Sequence, residues 1–326
     1  MSNHKLRRVF AAAVFGAALV TLPAGQATAE TAACTWQKTA WEIPAGDEVG
    51  EIFGYDGSRY AVGVSGFEAW EGEGVWEAKA TLWDRGKVVY RADELLPHFR
   101  DVNAAGLIVG DTIVDNRFIG ITATHDGRTT PLPANPAWRS YSAWQVNNAG
   151  DIAGWASNAD QSWLVVWPAN APGTYREFPH EPTSLADLDE QGRVLILTSS
   201  SEGGGSVLDV DGQWRVLVPH GTATYSRPHD LRDGRVVGAS GGSAIEWDAQ
   251  GKVVRAFGGG ITDAAAIGGN GTIAGYGGSP RGVVLWRGGA VVEQPIAGEF
   301  LVNGFSDDER TIVGRESAIP TQYHCS

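Results

Sequence analysis

A five-residue phrase returns along this chain at intervals of about forty residues, and it constrains the fold more than anything else in the sequence. Its clearest copies are Gly106-Leu107-Ile108-Val109-Gly110, Gly150-Asp151-Ile152-Ala153-Gly154, Gly234-Arg235-Val236-Val237-Gly238 and Gly271-Thr272-Ile273-Ala274-Gly275. Weaker copies close at Gly63, Ile196 and Gly314, so successive anchors stand 37 to 47 residues apart. Short apolar runs and turn residues fill each interval. That period and filling predict a β-propeller, in which every repeat is one small sheet that buries its faces only against its neighbours.

The unit from Phe99 to Pro133 shows the plan of a repeat. Asp101-Val102-Asn103 belongs to a first strand and Leu107–Ile113 is a second. Phe118–Thr124 is a third, and Arg128–Leu132 follows the His125-Asp126-Gly127 turn as a fourth. Asp-Gly between two β-prone runs marks a hairpin, because glycine takes positive φ without a Cβ clash. Third strands often end in tryptophan, at Trp83, Trp167, Trp247 and Trp286, which reads as packing between adjacent sheets. No stretch after the leader carries sustained helical periodicity, and the spacing of turns fits an all-β chain.

Seven anchors leave the last repeat short, since only twelve residues follow Gly314. These suffice for a third strand, Ser317–His324, but not for a fourth. The missing strand is expected at the other end, where Thr35–Pro44 reads like the segments ending in Leu132-Pro133 and Phe178-Pro179. The expected fold is thus a seven-bladed β-propeller of four-stranded antiparallel blades, its last blade closed by the N-terminal strand. Closure removes exposed sheet edges. Cys34 and Cys325 would then meet at one turn, within bridging distance for a disulfide.

Residues 1–29 read as a signal peptide. Lys5, Arg7 and Arg8 precede an apolar run, and Ala27-Thr28-Ala29 forms a small-residue cleavage site. Residues 30–326 are then a single propeller domain, secreted and without stable membrane association. The net charge is −13. A leader with three cations and no acids leaves the mature chain more negative still, which argues against nucleic acid or an anionic surface as partner.

The runs Val102–Gly110 and Val146–Gly154, each with third strands ending in an apolar-Trp pair, resemble the extracellular HAF-repeat proteins of bacteria. Those repeats carry an Asn-x-x-Gly-x-Ile-Val-Gly phrase before an Ala-Phe-Leu-Trp-like strand. The likeness spans about 48–316, and it departs from the family at Ile196 and in lacking the His-Ala-Phe triplet. The resemblance implies a secreted propeller and carries no catalytic residues to this chain.

Departures from the repeat collect in the connections between blades and in the loops from second to third strands. They include an insertion from Gly66 to Trp76 and the segments around Trp138 and Tyr141, around His220 to His229, and from Trp155 to Trp163. Both kinds of loop emerge on one face of a propeller. Trp70, Trp76, Trp138, Tyr141, Tyr225 and His229 are therefore the candidate ligand-binding residues, for an extracellular carbohydrate or protein. The same aromatics folded down as hydrophobic caps is the competing reading. Asp101, Gln145, Asp187 and Asp230 share one first-strand position and are expected to hydrogen-bond nearby backbone, or to form a polar site around the central channel.

Catalytic signals are weak. Gly238-Ala239-Ser240-Gly241-Gly242 matches a nucleophile pattern but sits on a repeat anchor rather than at a strand-to-helix elbow. Asp187-Leu188-Asp189 and Asp209-Val210-Asp211-Gly212 lack full calcium-loop spacing. Neither a metal nor a cofactor is expected. The function expected is a monomeric, non-enzymatic binding module. The alternative is an extracellular lyase or hydrolase using His98, His229 and Asp230 at the channel mouth.

Overall fold

A computed structural model describes residues 34–69, 74–179, 182–198 and 204–326. The signal-peptide expectation and Trp70 lie outside the described residues. Seven four-stranded antiparallel sheets form a closed ring, a seven-bladed β-propeller within one compact unit, Thr35–Ser326. The first, innermost strands of blades one to seven are Val49–Tyr55, His98–Val102, Ser140–Val146, Pro182–Leu188, Arg227–Arg232, Asp263–Ile267 and Leu301–Phe305. Each contacts the first strands on either side of it, so together they enclose a central channel.

The last blade is assembled from both ends of the propeller. Trp36–Ala40 pairs antiparallel with Ile319–Cys325, in a register from Trp36 opposite Cys325 to Ala40 opposite Thr321. Trp36 Nε1 donates to Glu293 of blade six at 2.7 Å, and Trp41 Nε1 donates to Gln322 at 3.0 Å. Neither cysteine is free and both are disulfide-bonded, which pairs Cys34 with Cys325 as the chain's two cysteines.

The recurrent tryptophans join blades as expected. Trp83 and Trp247 are fully buried at third-strand ends. Trp83, Trp167 and Trp247 each donate an indole N–H to a carbonyl at the end of the preceding blade's fourth strand: Glu42, Pro133 and Val218, at 2.7–2.8 Å. An apolar ring with one polar edge suits this place, filling the interface while satisfying a carbonyl.

The closing glycine of the anchor phrase also has a physical reason. A Cβ on Gly110 would lie 1.9 Å from the His98 carbonyl oxygen, and Gly63, Gly154, Gly238 and Gly314 face first-strand carbonyls just as closely. The first strand presses into the second because it bulges at that point. Blade four, which has Ile196 instead, carries a second register shift in its first strand, between Pro182 and Ser184, and its sheet forms around the larger side chain.

Candidate functional site in the central channel

Every first strand carries a register shift at the same place. The shifts fall between Ile52 and Gly54, Phe99 and Asp101, Ala143 and Gln145, Leu185 and Asp187, Pro228 and Asp230, Ala264 and Ala266, and Val302 and Gly304. A β-bulge leaves one residue unpaired and re-aims the side chains beside it. Seven bulges at one height therefore make a ring of redirected residues. Most of them line a cavity of about 300 Å³ in the half of the channel nearest the turns from first to second strands.

The ring is not symmetric. After the bulge come Asp101 in blade two, Gln145 in blade three, Asp187 in blade four and Asp230 in blade five. Blade six offers Ala265 and Ala266, blade seven Asn303, and blade one Phe53. The carboxylates tie blade to blade. Asp101 Oδ2 accepts from the Val146 N–H at 2.9 Å, Asp187 Oδ2 from Leu231 at 2.8 Å, and Asp230 Oδ2 from Ile267 at 2.6 Å. Each acceptor reaches the N–H of the following blade's first strand, next to that strand's own bulge. Gln145 Nε2 continues the pattern to the Ala186 carbonyl at 3.4 Å. The backbone hydrogen bonding expected for this position is present, and so is the polar lining.

Burial dominates the protonation of this ring. Removed from water, the Asp101 carboxyl is pushed up to about 7, against the pull of the N–H groups it accepts from. Asp187 is half-buried and lines the cavity. Desolvation first, and then the adjacent Asp230 carboxylate, raise it well above the usual carboxylate range. The two carboxyl groups, from blades four and five, thus stand side by side on the cavity wall.

A second girdle surrounds the mouth. Asn103 Oδ1 accepts from the Ala105 and Leu107 N–H groups, closing its own turn, while its Nδ2 donates to the Asn147 carbonyl of the next blade. Asn147 repeats this to the Asp189 carbonyl, and Asp189 Oδ2 accepts from the Gly234 N–H. The asparagine of the repeat phrase thus works twice, within its turn and between blades. Blade six has Gly268 and Gly269 at this level, and Glu309 of blade seven reaches across to accept from Asn270 and Thr272. Arg232 of blade five spans past this narrow turn to bind Asp307 of blade seven at 2.7 Å.

The aromatic residues expected to bind ligand are dispersed. Trp138 and Tyr141 fold down between blades two and three. Both are 7% exposed and packed with Trp167 and Tyr175. Their polar atoms are used internally, Trp138 Nε1 on Glu177 and the Tyr141 hydroxyl on the Leu132 carbonyl. They are caps rather than an exposed surface, because apolar rings at the end of a blade interface gain more from covering it than from facing water. Trp76 and Tyr225 are exposed, at 65% and 42%, on separate blades. His229 is the bulged residue of blade five and lines the cavity, its Nε2 3.1 Å from Asp263 Oδ1 but off the line a hydrogen bond needs. His98 Nδ1 lies 2.8 Å from Asp111 Oδ1 and does not line the cavity. Ser240 is buried, its hydroxyl donating to the Tyr225 carbonyl and accepting from the backbone N–H of His220, so its oxygen is engaged with main chain rather than with an imidazole ring. Among the described residues, no three His, Cys, Asp or Glu side chains are placed to hold a metal ion.

Sequence reading missed Phe53, Asn303, Arg232 and Asp307 as cavity residues. Phe53 and Asn303 carry a readable signal, because each opposes a closing glycine of the repeat across a bulge. The Arg232–Asp307 link, between blades that are not neighbours, carries none.

No family model and no curated protein matches this chain. Solved structures do. A virginiamycin B lyase from Staphylococcus aureus superimposes with a TM-score of 0.57 at 12% identity, covering 90% of this chain and 99% of that one. YCF48 bound to a D1 peptide gives 0.54 at 16% identity, over 89% and 97%. The WD40 repeats of RRP9 give 0.54 at 12% identity, over 89% and 100%. At these identities the likeness is one of fold, and the proteins that share it differ in function.

Proposed function

We propose that this chain is a secreted, non-enzymatic binding propeller whose ligand enters the central cavity from the face of the first-to-second-strand turns. The observation that carries the reading is the ring of bulges, which turns an otherwise structural set of first strands into an asymmetric polar cavity. The opposite face, with its inter-blade loops, offers Trp76 and Tyr225 as exposed aromatics on separate blades. Secretion is supported by the leader-like residues 1–29 and by a disulfide suited to an oxidising compartment. No helix among the described residues is long and apolar enough to cross a membrane. The HAF-repeat resemblance agrees with this reading, and YCF48, which shares the fold, is bound to a D1 peptide.

The test is a glycan array and a secreted-protein capture with residues 30–326, comparing wild type with Ala265→Phe, which fills the cavity from blade six. Loss of capture by the plugged variant is expected. Capture that survives the plug but is lost in Trp76→Ala with Tyr225→Ala would move the site to the other face.

A second reading, an extracellular lyase or hydrolase, has one observation behind it. His229 lines the same cavity as Asp230 and as Asp187, whose carboxyl is raised by burial above the usual carboxylate range, so an imidazole and a raised carboxyl would flank a bound ligand. Turnover of a captured ligand, abolished in His229→Ala, would favour it over simple binding.

A further inference from the structure

We infer that the cavity recognises its ligand through an organic ammonium group, held between the carboxyls of blades four and five and the phenyl ring of blade one. The inference rests on the reading of this cavity as the binding site and names the chemistry that fits it.

Charge comes first. Carboxylates from several blades line the cavity, while Arg232 is the one lysine or arginine among its lining residues. That cation is already matched by Asp307. A cavity enclosed by protein focuses such a field, so a positively charged guest is favoured over an anion or a neutral one.

Placement comes second. In a ring of seven, the blade opposite the boundary between blades four and five is blade one. Asp187 and Asp230 flank that boundary, and Phe53 is the bulged residue of blade one, 40% exposed although it lies within the channel. An aromatic face across from two carboxyls suits an ammonium with apolar carbons beside it, since the ring attracts the cation and covers its hydrocarbon. Blade six stands next to the pair with only Ala265 and Ala266, which leaves room beside the carboxyls. A bare divalent ion fits less well, because no three ligating side chains converge among the described residues.

The raised Asp187 carboxyl gives the binding its own readout. An arriving ammonium favours the charged form of the Asp187 carboxyl, so binding should release a proton to solvent as the guest enters. The other titratable or charged groups lining the cavity are Asp189 and Glu190 of blade four, His229, Arg232 and Asp233 of blade five, Asp101 and Asp56 across the channel, and Asp307 at the mouth.

The experiment is titration calorimetry of the mature protein at pH 7.5 with n-butylammonium, with a lysine-containing peptide, and with n-butanol as the neutral control. The two ammonium probes are expected to separate the sources. Binding of both indicates a small amine, and binding of the peptide alone indicates a lysine side chain of a partner. Repeating the titration in buffers of different ionisation enthalpy should show proton release. Asp230→Asn keeps an acceptor for the Ile267 N–H and should fold, yet weaken binding by about tenfold. Phe53→Leu should weaken it by about fivefold. Butanol binding as tightly as butylammonium, or ammonium binding unchanged in both variants, overturns the inference. If neither ammonium probe binds while Ala265→Phe still abolishes capture on the arrays, the ammonium assignment fails and the cavity reading stands. If Ala265→Phe changes no capture at all, the cavity reading fails too.

Discussion

Gly110 and Asp101 sit on paired strands of blade two, one on each side of the bulge, and each carries a testable consequence. A methyl group at Gly110 would meet the His98 carbonyl at 1.9 Å, with backbone rather than a movable side chain in the way. Gly110→Ala should therefore destabilise the fold by about 3 kcal/mol, measured by urea unfolding. Asp101 acts through protonation. Its folded carboxyl is raised from 3.8 to about 7, so the folded state keeps a proton that the unfolded chain releases sooner. The contribution of this group to stability is full below its unfolded value, falls as pH climbs toward 7, and is flat above. Asp101→Asn retains an acceptor for the Val146 N–H and removes this dependence. Relative to wild type, the variant should gain on the order of 1–3 kcal/mol between pH 4 and pH 8. A constant difference across that range would show that the carboxyl is not raised.

At the scale of elements, the blade interface and the loop face make different demands on the same residue type. Trp138 closes the interface of blades two and three against Trp167, Tyr141 and Tyr175, whereas Trp76 stands 65% exposed at a hairpin. Trp138→Ala should cost about 3–5 kcal/mol, and Trp76→Ala should stay within about 0.5 kcal/mol. Thermal melts of the two variants would separate them, and equal melting temperatures would mean that Trp138 is no part of the core. The bulges are the other decisive element. Without them, the first strands would pair in regular register and direct their side chains only between blades. With them, Phe53, His229 and Asn303 come to the channel wall.

For the whole molecule, closure is the determining event. The strand Trp36–Ala40 covers the edge of Ile319–Cys325, and the Cys34–Cys325 disulfide fixes that pairing across nearly the full chain. Cross-linking so long a loop removes unfolded-state entropy worth roughly 5–6 kcal/mol as an upper figure. Reduction, or Cys34→Ser, should lower the melting temperature while the oxidised far-ultraviolet spectrum persists at 25 °C. An unchanged melting temperature under reductant would mean that strand pairing alone secures the ring.

Much of this was legible without coordinates. The forty-residue period, the Asn-x-x-Gly phrase, the third-strand tryptophans and the two terminal cysteines determined blade number, strand order and the closing pair, because each repeat must meet the same packing demand as its neighbours. The shared position of Asp101, Gln145, Asp187 and Asp230 was equally visible, and a repeat preserves position. What the tertiary structure alone decided was direction and company. Whether Trp138 faces water or Trp167, that Phe53 stands across a ring from Asp187 and Asp230, and that Arg232 passes blade six to reach Asp307 all depend on the curvature that seven sheets adopt when they close. Curvature is a property of the packed whole, and no single repeat encodes it.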